Sequence, residues 1–357
     1  NADSSVFLDR TFTLKAVPDA LYTMAFPFTF TNAGVTGRTG PTLTDLTITS
    51  NRYTPTWTDY TSNLNVTAGI QEWTVPTSGT YQITAAGAAS SGGSTGAIMR
   101  GDFTLTRGEI IKILVGQKSI VGTRSDDLFY GTSVGAGGGG GTFVIRTPYD
   151  STGSILVIAG GGGGTTWTSD GSPNTTGRHG TTSNNGQDAE TTDSGNTGAG
   201  GTSGNGGLNL AYVAYSSGAG KSGEYASGGG GGFSGNGIPG YSGHAGNAPT
   251  YPTISPFGQN AGAAALSFTN GGTGGGPSGG YDRGDGGFGG GAAASYGGGA
   301  GGGGYSGGGG VASNGSGSDG PKNGGGGGSY NSGTNQSNSA GASSGNSGHG
   351  SVIITKL

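Results

Sequence analysis

The sequence predicts an all-β chain, an antiparallel β-sandwich carrying a large inserted bundle of polyglycine-II helices. Three observations carry that expectation. Short β-branched and aromatic segments recur between turn signals as far as Ala159. From Gly135 onward 75 of 223 residues are Gly, about a third, against 14 before that point. One apolar run, Ser351–Thr355, stands alone beyond the glycine-rich stretch.

The strand candidates come first. Val6–Leu8, Phe12–Leu14, Leu21–Phe26 and Phe28–Thr31 open the series, with Pro27 as a break because it cannot donate to a ladder. Trp73–Val75 and Tyr81–Ala85, joined through Pro76–Gly79, read as a hairpin-like unit. Phe103–Thr106 and Ile110–Val115, joined through Arg107–Glu109, read as another. Thr142–Arg146 and Ile155–Ala159 continue the pattern. A strand cannot be stable by itself, so Val352, Ile353 and Ile354 are expected to return to an N-terminal strand. Loop entropy grows only logarithmically with length, which makes so distant a closure tolerable. No sustained i, i+3, i+4 apolar stripe with caps appears, so helices are not expected. The resulting division is 1–69 as an N-terminal β-segment, 70–159 with 351–357 as the sandwich, and 160–350 as the glycine-rich bundle.

Runs such as Gly160–Gly164, Gly228–Gly232, Gly297–Gly304 (broken once by Ala300) and Gly324–Gly328 are too pure for ordinary strands. Composition alone admits a flexible linker, since Gly carries the largest ordering entropy. It also admits polyglycine-II, a three-residue left-handed helix whose outward N–H and C=O groups must find partners on neighbouring helices. Abundant Gly, only 13 Pro, and Ala, Ser and Asn as the tolerated small residues fit the second reading. Between the runs lie the Thr/Asn/Asp-rich 165–196, the apolar 208–215, and 249–270 with Tyr251, Phe257 and Phe268.

Composition excludes several functions. There is no Cys, hence no disulfide framework, zinc ribbon or catalytic thiol. No apolar run reaches the roughly 18 residues of a membrane span. A net charge of −4 argues against a nucleic-acid partner. The first residue is Asn, so a processed, trimmed or internal start is expected. The motifs are weak. Matches to G-x-G-x-x-G are meaningless where Gly is everywhere. Gly218–Ser222 resembles the end of a phosphate loop, but Tyr215 stands where its first Gly is required. Two Arg-Gly-Asp triplets, 100–102 and 283–285, suit an adhesive loop, with coincidence the preferred reading. His179, His244 and His349 lack metal-ligand spacing and read as exposed turn residues. Asp126–Asp127 and Asp282/Asp285 follow no calcium-loop pattern. Sequons stand at Asn65, Asn174, Asn314 and Asn335. No nucleophile–base constellation can be assembled, so an enzyme, a metal and a cofactor are not expected.

The order of blocks is more specific. Gln71–Pro76 with Gly79–Tyr81, Phe103 with Gly108–Glu109 and Ile113–Gln117, Gly137–Val144, Ile155–Gly164 and the closing Gly348–Ile354 together resemble the glycine-rich domain family. That family includes the ectodomains of anaplastic lymphoma kinase and leukocyte tyrosine kinase. The resemblance covers roughly residues 70–357 and implies a tumour-necrosis-factor-like, jelly-roll β-sandwich with an inserted polyglycine-II bundle. The earlier block Phe28–Leu43 is similar to glycine-rich structural proteins of phages and large viruses. Phage tail-tip adhesins similarly use polyglycine bundles whose connecting loops bind the host.

The expected function is therefore a virion-surface, tail-fibre or capsid-fibre structural protein attaching to host-surface glycans or proteins. The alternative is a secreted extracellular filament or matrix protein, one organising mineral or mucilage. Expected partners are a host glycan or protein receptor and other fibre subunits in a homo-oligomer, with neither nucleic acid nor membrane insertion. Receptor binding is placed on Trp167, Tyr251 and Phe257, whose rings suit stacking on sugar faces. Capping of exposed helix ends is the competing role for those rings.

Overall fold

A computed structural model describes residues 20–47, 53–120, 135–165, 178–191, 197–209, 225–240, 262–276, 284–295, 298–313 and 322–357. Among them the strands are β1 (Phe28–Phe30), β2 (Leu64–Thr67), β3 (Ile70–Thr74), β4 (Gly79–Ala86), β5 (Ile98–Leu105), β6 (Ile110–Leu114), β7 (Thr142–Arg146) and β8 (Ile155–Ala159). They continue with β9 (Glu190–Thr191), β10 (Tyr225–Ala226), β11 (Ala312–Ser313), β12 (Lys322–Asn323), β13 (Tyr330–Asn331), β14 (Thr334–Ser339) and β15 (Ser351–Lys356). Two single-turn helices, α1 (Leu43–Leu46) and α2 (Gly341–Ser344), complete the regular structure besides 3₁₀ turns.

The architecture is all-β, built on two antiparallel sheets. The first has the order β1-β15-β4-β5-β14 and the second β13-β8-β7-β6-β3-β2. Alternation explains which residues close the space between them. Tyr81, Ile83 and Ala85 from β4, Met99, Phe103 and Leu105 from β5, and Val352 and Ile354 from β15 form one core with Trp73, Ile111, Ile113, Val144 and Val157 of the second sheet. Their partners in alternation, Thr80 and Thr104, are exposed, and Gln82 and Thr84 are half-buried.

The C-terminal strand is central to the first sheet. Phe28, Thr29 and Phe30 pair with Ile354, Ile353 and Val352, while the other edge of β15 pairs with β4 from Tyr81 to Ala86. The return of this strand to an N-terminal partner is thus observed, with Val352 and Ile354 fully buried.

Both units read as hairpins are something else. β3 lies in the second sheet and β4 in the first, and likewise β5 lies in the first and β6 in the second. The turns at 75–79 and 106–109 therefore carry the chain from sheet to sheet. They lie side by side, with Val75 N donating to Glu109 O and Gly108 N to Val75 O, each at 2.9 Å. Leu21–Phe26 is not a strand either. Phe26 and Tyr22 lean on the core, where Tyr22 stacks on Trp57 at 5.4 Å. The Tyr22 hydroxyl donates to Thr74 O. Val6–Leu8 and Phe12–Leu14 lie outside the described residues.

Along β7 and β8 the second sheet is buried on both faces, which is why these strands read as continuous apolar runs rather than alternating ones. Its outer face presents Ile70, Leu114, Phe143, Ile145, Ile155 and Ile158, against which pack Phe233, Phe268, Phe288 and Tyr305 from the glycine-rich half. Phe268 stacks on Phe143 at 5.2 Å and on Phe233 at 5.7 Å. These rings fasten the glycine-rich half to the sandwich.

The described glycine segments form neither α-helix nor a continued sheet; they hydrogen-bond to one another. A period of three is visible in what each residue faces. A Cβ on Gly160 or Gly163 would meet Gly327 O or Gly324 O, each at 2.1 Å. One on Gly161 or Gly164 would meet Gly139 O at 2.3 Å or Ala136 O at 1.9 Å, and one on Gly162 would meet Ser94 O at 2.6 Å. Residues three apart thus touch the same neighbouring segment, and successive residues touch three different ones. The bonds follow the same rule: Gly161 N and Gly164 N donate to Gly303 O and Ala300 O at 2.8 and 2.7 Å. In return Gly327 N and Gly324 N donate to Gly161 O and Gly164 O at 2.9 and 2.8 Å. At such spacing a side chain has no room, so the composition follows from the packing.

Candidate interaction end of the glycine-rich half

The glycine-rich half has two different ends. At the end next to the second sheet the chain turns through Phe233–Gly235, Phe268–Gly272, Phe288–Gly290 and Gly304–Ser306, and four aromatic rings are buried there. Gly271, Gly272, Gly289 and Gly290 have φ between +65° and +99°, a region that a side chain rarely enters.

The opposite end is a hydrogen-bonded layer of small residues. Ala136 N donates to Thr165 O at 2.9 Å, and Ala300 N to Ala136 O at 3.3 Å. Gly299 O accepts from Val311 N at 3.3 Å, and Val311 O from Ser227 N at 2.8 Å. Ala226 O takes Gly262 N at 2.9 Å, and Gly262 O takes Gly240 N at 2.8 Å. The buried hydroxyls of Ser227 and Ser295 lie 2.9 Å apart, and that of Ser227 donates to Gly298 O at 2.8 Å.

Trp167, Tyr251 and Phe257 themselves lie outside the described residues. The positions from which their segments depart do not. Thr165 precedes the segment with Trp167; Gly240 and Gly262, bonded to each other, bracket the segment with Tyr251 and Phe257. The layer just traced joins all three through backbone bonds. The hydroxyls of Ser227 and Ser295 within it are buried and bonded to each other. Among the described residues no group of three or more His, Asp or Glu could hold a metal, and no helix is long and apolar enough to cross a membrane.

The remaining motifs resolve into packing. Arg100–Asp102 is a stretch of β5, not a loop. A Cβ on Gly101 would meet Asn331 Oδ1 at 2.8 Å. Asp102 is buried and accepts from Gln82 Nε2 at 3.2 Å and Asn335 Nδ2 at 2.9 Å. In the second triplet Arg283 lies outside the described residues. Asp285 is half-buried; burial raises its carboxyl, and the charge of Arg38 opposes that. The Asn65 amide donates to Glu72 Oε2 at 3.2 Å; Asn174 and Asn314 lie outside the described residues.

His179 and His349 are not exposed turn residues, and His244 lies outside the described residues. Each of the two is half-buried and uses Nδ1 to accept a backbone N–H at 3.1 Å, from Thr95 and Lys118 respectively. Burial pushes both below the ordinary histidine range, with the Lys118 charge adding to the effect at His349. Nothing in the local sequence signalled these contacts, which span 84 and 231 positions. Phe268, grouped by sequence with Tyr251 and Phe257, is a buried plug against Phe143. No family model matches the chain.

Proposed function

We propose that the chain is a non-catalytic attachment protein of a virion surface, tail fibre or capsid fibre. Its glycine-rich half serves as a rigid stalk presenting Trp167, Tyr251 and Phe257 to glycans or proteins of a host surface. The observation that carries this reading is the polarity of that half. One end is plugged into the sandwich by four aromatic rings, and the backbone layer joining the roots of the ring-bearing segments lies at the other. Loops held on a rigid scaffold commonly carry binding.

The finer fold belongs to the same proposal: a polyglycine-II bundle inserted into a tumour-necrosis-factor-like, jelly-roll sandwich. The three-residue period of facing neighbours supports the first part, since polyglycine-II has three residues per turn. The two sheet-to-sheet crossings support the second. At about 3.1 Å per residue, the run from Gly298 to Gly304 would span roughly 19 Å. Such a stalk is expected to work as a homo-oligomer outside the cell or on the particle.

The test uses the full chain and single Ala replacements of Trp167, Tyr251 and Phe257. Loss of attachment to host cells at unchanged melting temperature supports the reading. Attachment that persists in all three, or is lost only with folding, makes those rings structural caps. Labelling this chain by electron microscopy on purified particles separates a virion protein from a secreted matrix protein.

A further inference from the structure

Asparagine followed by glycine is a pairing prone to react with itself. The glycine nitrogen, unshielded by any Cβ, attacks the amide carbon of the preceding side chain. Five such pairs lie among the described residues: Asn185–Gly186, Asn205–Gly206, Asn236–Gly237, Asn270–Gly271 and Asn323–Gly324. In four of them the nitrogen is committed. Gly186 N donates to Gly201 O, Gly237 N to Ala265 O and Gly271 N to Phe268 O, each at 3.0 Å, and Gly324 N to Gly164 O at 2.8 Å. Gly206 N makes no hydrogen bond to another described residue.

Asn205 closes a tight turn whose two central residues, Ser203 and Gly204, have φ of 54° and 84°. Asn205 N and Nδ2 both donate to Thr202 O at 3.0 Å, and the residue is exposed to water. The amides of two other pairs are tied to each other, with Asn236 Oδ1 accepting from Asn270 Nδ2 at 2.9 Å and from Ser267 N at 2.8 Å. Asn323 is fully buried. Gly206 is closely packed at its carbon, where a Cβ would meet Asn236 O at 2.2 Å. Attack by its nitrogen places no atom in that direction.

We propose that Asn205 is a site of spontaneous deamidation, set apart from the other four pairs by its uncommitted Gly206 N–H. Gly206 N bonds to Asn205 Cγ and the Cγ–Nδ2 bond breaks. The proton lost by Gly206 N passes by way of water to the departing nitrogen, which leaves as ammonia. Water then opens the resulting succinimide at either carbonyl, giving aspartate or isoaspartate. The reaction consumes only water, so it rests on neither host attachment nor any partner. Its place gives it a consequence, because this turn is bonded to the plugged end of the glycine-rich half. Gly204 O accepts from Ser234 N at 3.0 Å, Gly204 N donates to Ser306 Oγ at 3.1 Å, and Asn205 O accepts from Gly307 N at 3.0 Å. Either product sets a carboxylate there, and the isoaspartyl one lengthens the backbone by a carbon. The fastening to the sandwich loosens with age.

The test is peptide mapping by mass spectrometry of the full chain, incubated folded in warm, mildly alkaline buffer and, in parallel, unfolded in denaturant. In the folded chain the gain of one mass unit should build up at Asn205 about tenfold faster than at Asn185, Asn236, Asn270 or Asn323, the rate equivalent of about one net hydrogen bond. In the unfolded chain the five rates should converge. Labelling by an isoaspartyl methyltransferase should fall on the Asn205 peptide and vanish from it in Asn205→Gln. The deamidated form, separated by its added charge, should melt below the unaltered one. The proposal is overturned if Asn205 reacts no faster than the other four in the folded chain, or if its lead persists after unfolding. Equal melting of the two forms overturns the loosening.

Discussion

Replacing Gly230 by Ala adds a single methyl group, and its consequence can be worked through from distances. The new Cβ would lie 2.1 Å from Gly302 O, about 1.3 Å short of the 3.4 Å at which ordinary contact begins. Neither side yields cheaply, because both atoms belong to bonded backbone. Gly230 N donates to Gly308 O at 2.9 Å, Gly230 O accepts from Gly207 N at 2.8 Å, and Gly302 O accepts from Gly308 N at 2.9 Å. Opening the gap by more than 1 Å stretches such bonds beyond hydrogen-bonding range. Each buried group left unpaired costs about 1–3 kcal/mol, so leaving two such groups unpaired costs about 2–6 kcal/mol. That is a large share of a typical domain stability of about 5–15 kcal/mol. Thermal and denaturant unfolding of Gly230→Ala measures it. Gly153→Ala is the control, since a Cβ there meets nothing within 4 Å and the change should be neutral or slightly stabilising. Gly230→Val should be worse still. If Gly230→Ala and Gly153→Ala unfold alike, the close-packed lattice is wrong.

Three further outcomes are expected. Removing residues 351–357 deletes a central strand together with buried Val352 and Ile354, worth roughly 1.5–3 kcal/mol each in apolar burial alone; an unchanged melting temperature would contradict the closure. His179 and His349 titrate below the ordinary 6.5 because burial disfavours their charged forms, so below that pH the unfolded chain binds more protons than the folded one. Stability should accordingly be complete above about pH 6.5 and decline as the pH falls toward the lowered folded values. A melting profile between about pH 7.5 and 5 that flattens in His179→Gln/His349→Gln checks this. Adding a side chain at Gly101 should destabilise β5 through Asn331 and Gly333, and Arg-Gly-Asp peptides should not compete for any attachment this chain makes.

The sequence made the outline of the fold legible where residues alternate. The return of Ser351–Thr355 to an N-terminal strand could be read because an isolated apolar strand has to find a sheet; that its partner is Phe28–Phe30 could not. The crossings at Pro76–Gly79 and Arg107–Glu109 were not legible, since the same turn residues serve a hairpin and a passage between sheets. β14 was invisible because Thr-Asn-Gln-Ser-Asn-Ser carries no apolar alternation; among the described residues it is an edge strand paired with β5, and five of its six residues are exposed. Asn335 bulges there with φ of 49°, which interrupts the edge. The period of three was hidden by its own material, because a homopolymer of Gly has no side-chain pattern and the period exists only in what each residue faces. The aromatic plugs Phe233, Phe288 and Tyr305 gave no signal among glycines, and their partners on β7 and β8 were legible only as unusually continuous apolar runs.

The most direct test of the ordered lattice is native-state amide exchange read residue by residue through the glycine runs. A bonded lattice predicts that Gly161, Gly164, Gly302, Gly324 and Gly327 exchange as slowly as Ile83 or Ile113 in the core of the two sheets. Exchange of those glycines at the rate of an unfolded chain, while Ile83 and Ile113 stay protected, would contradict it.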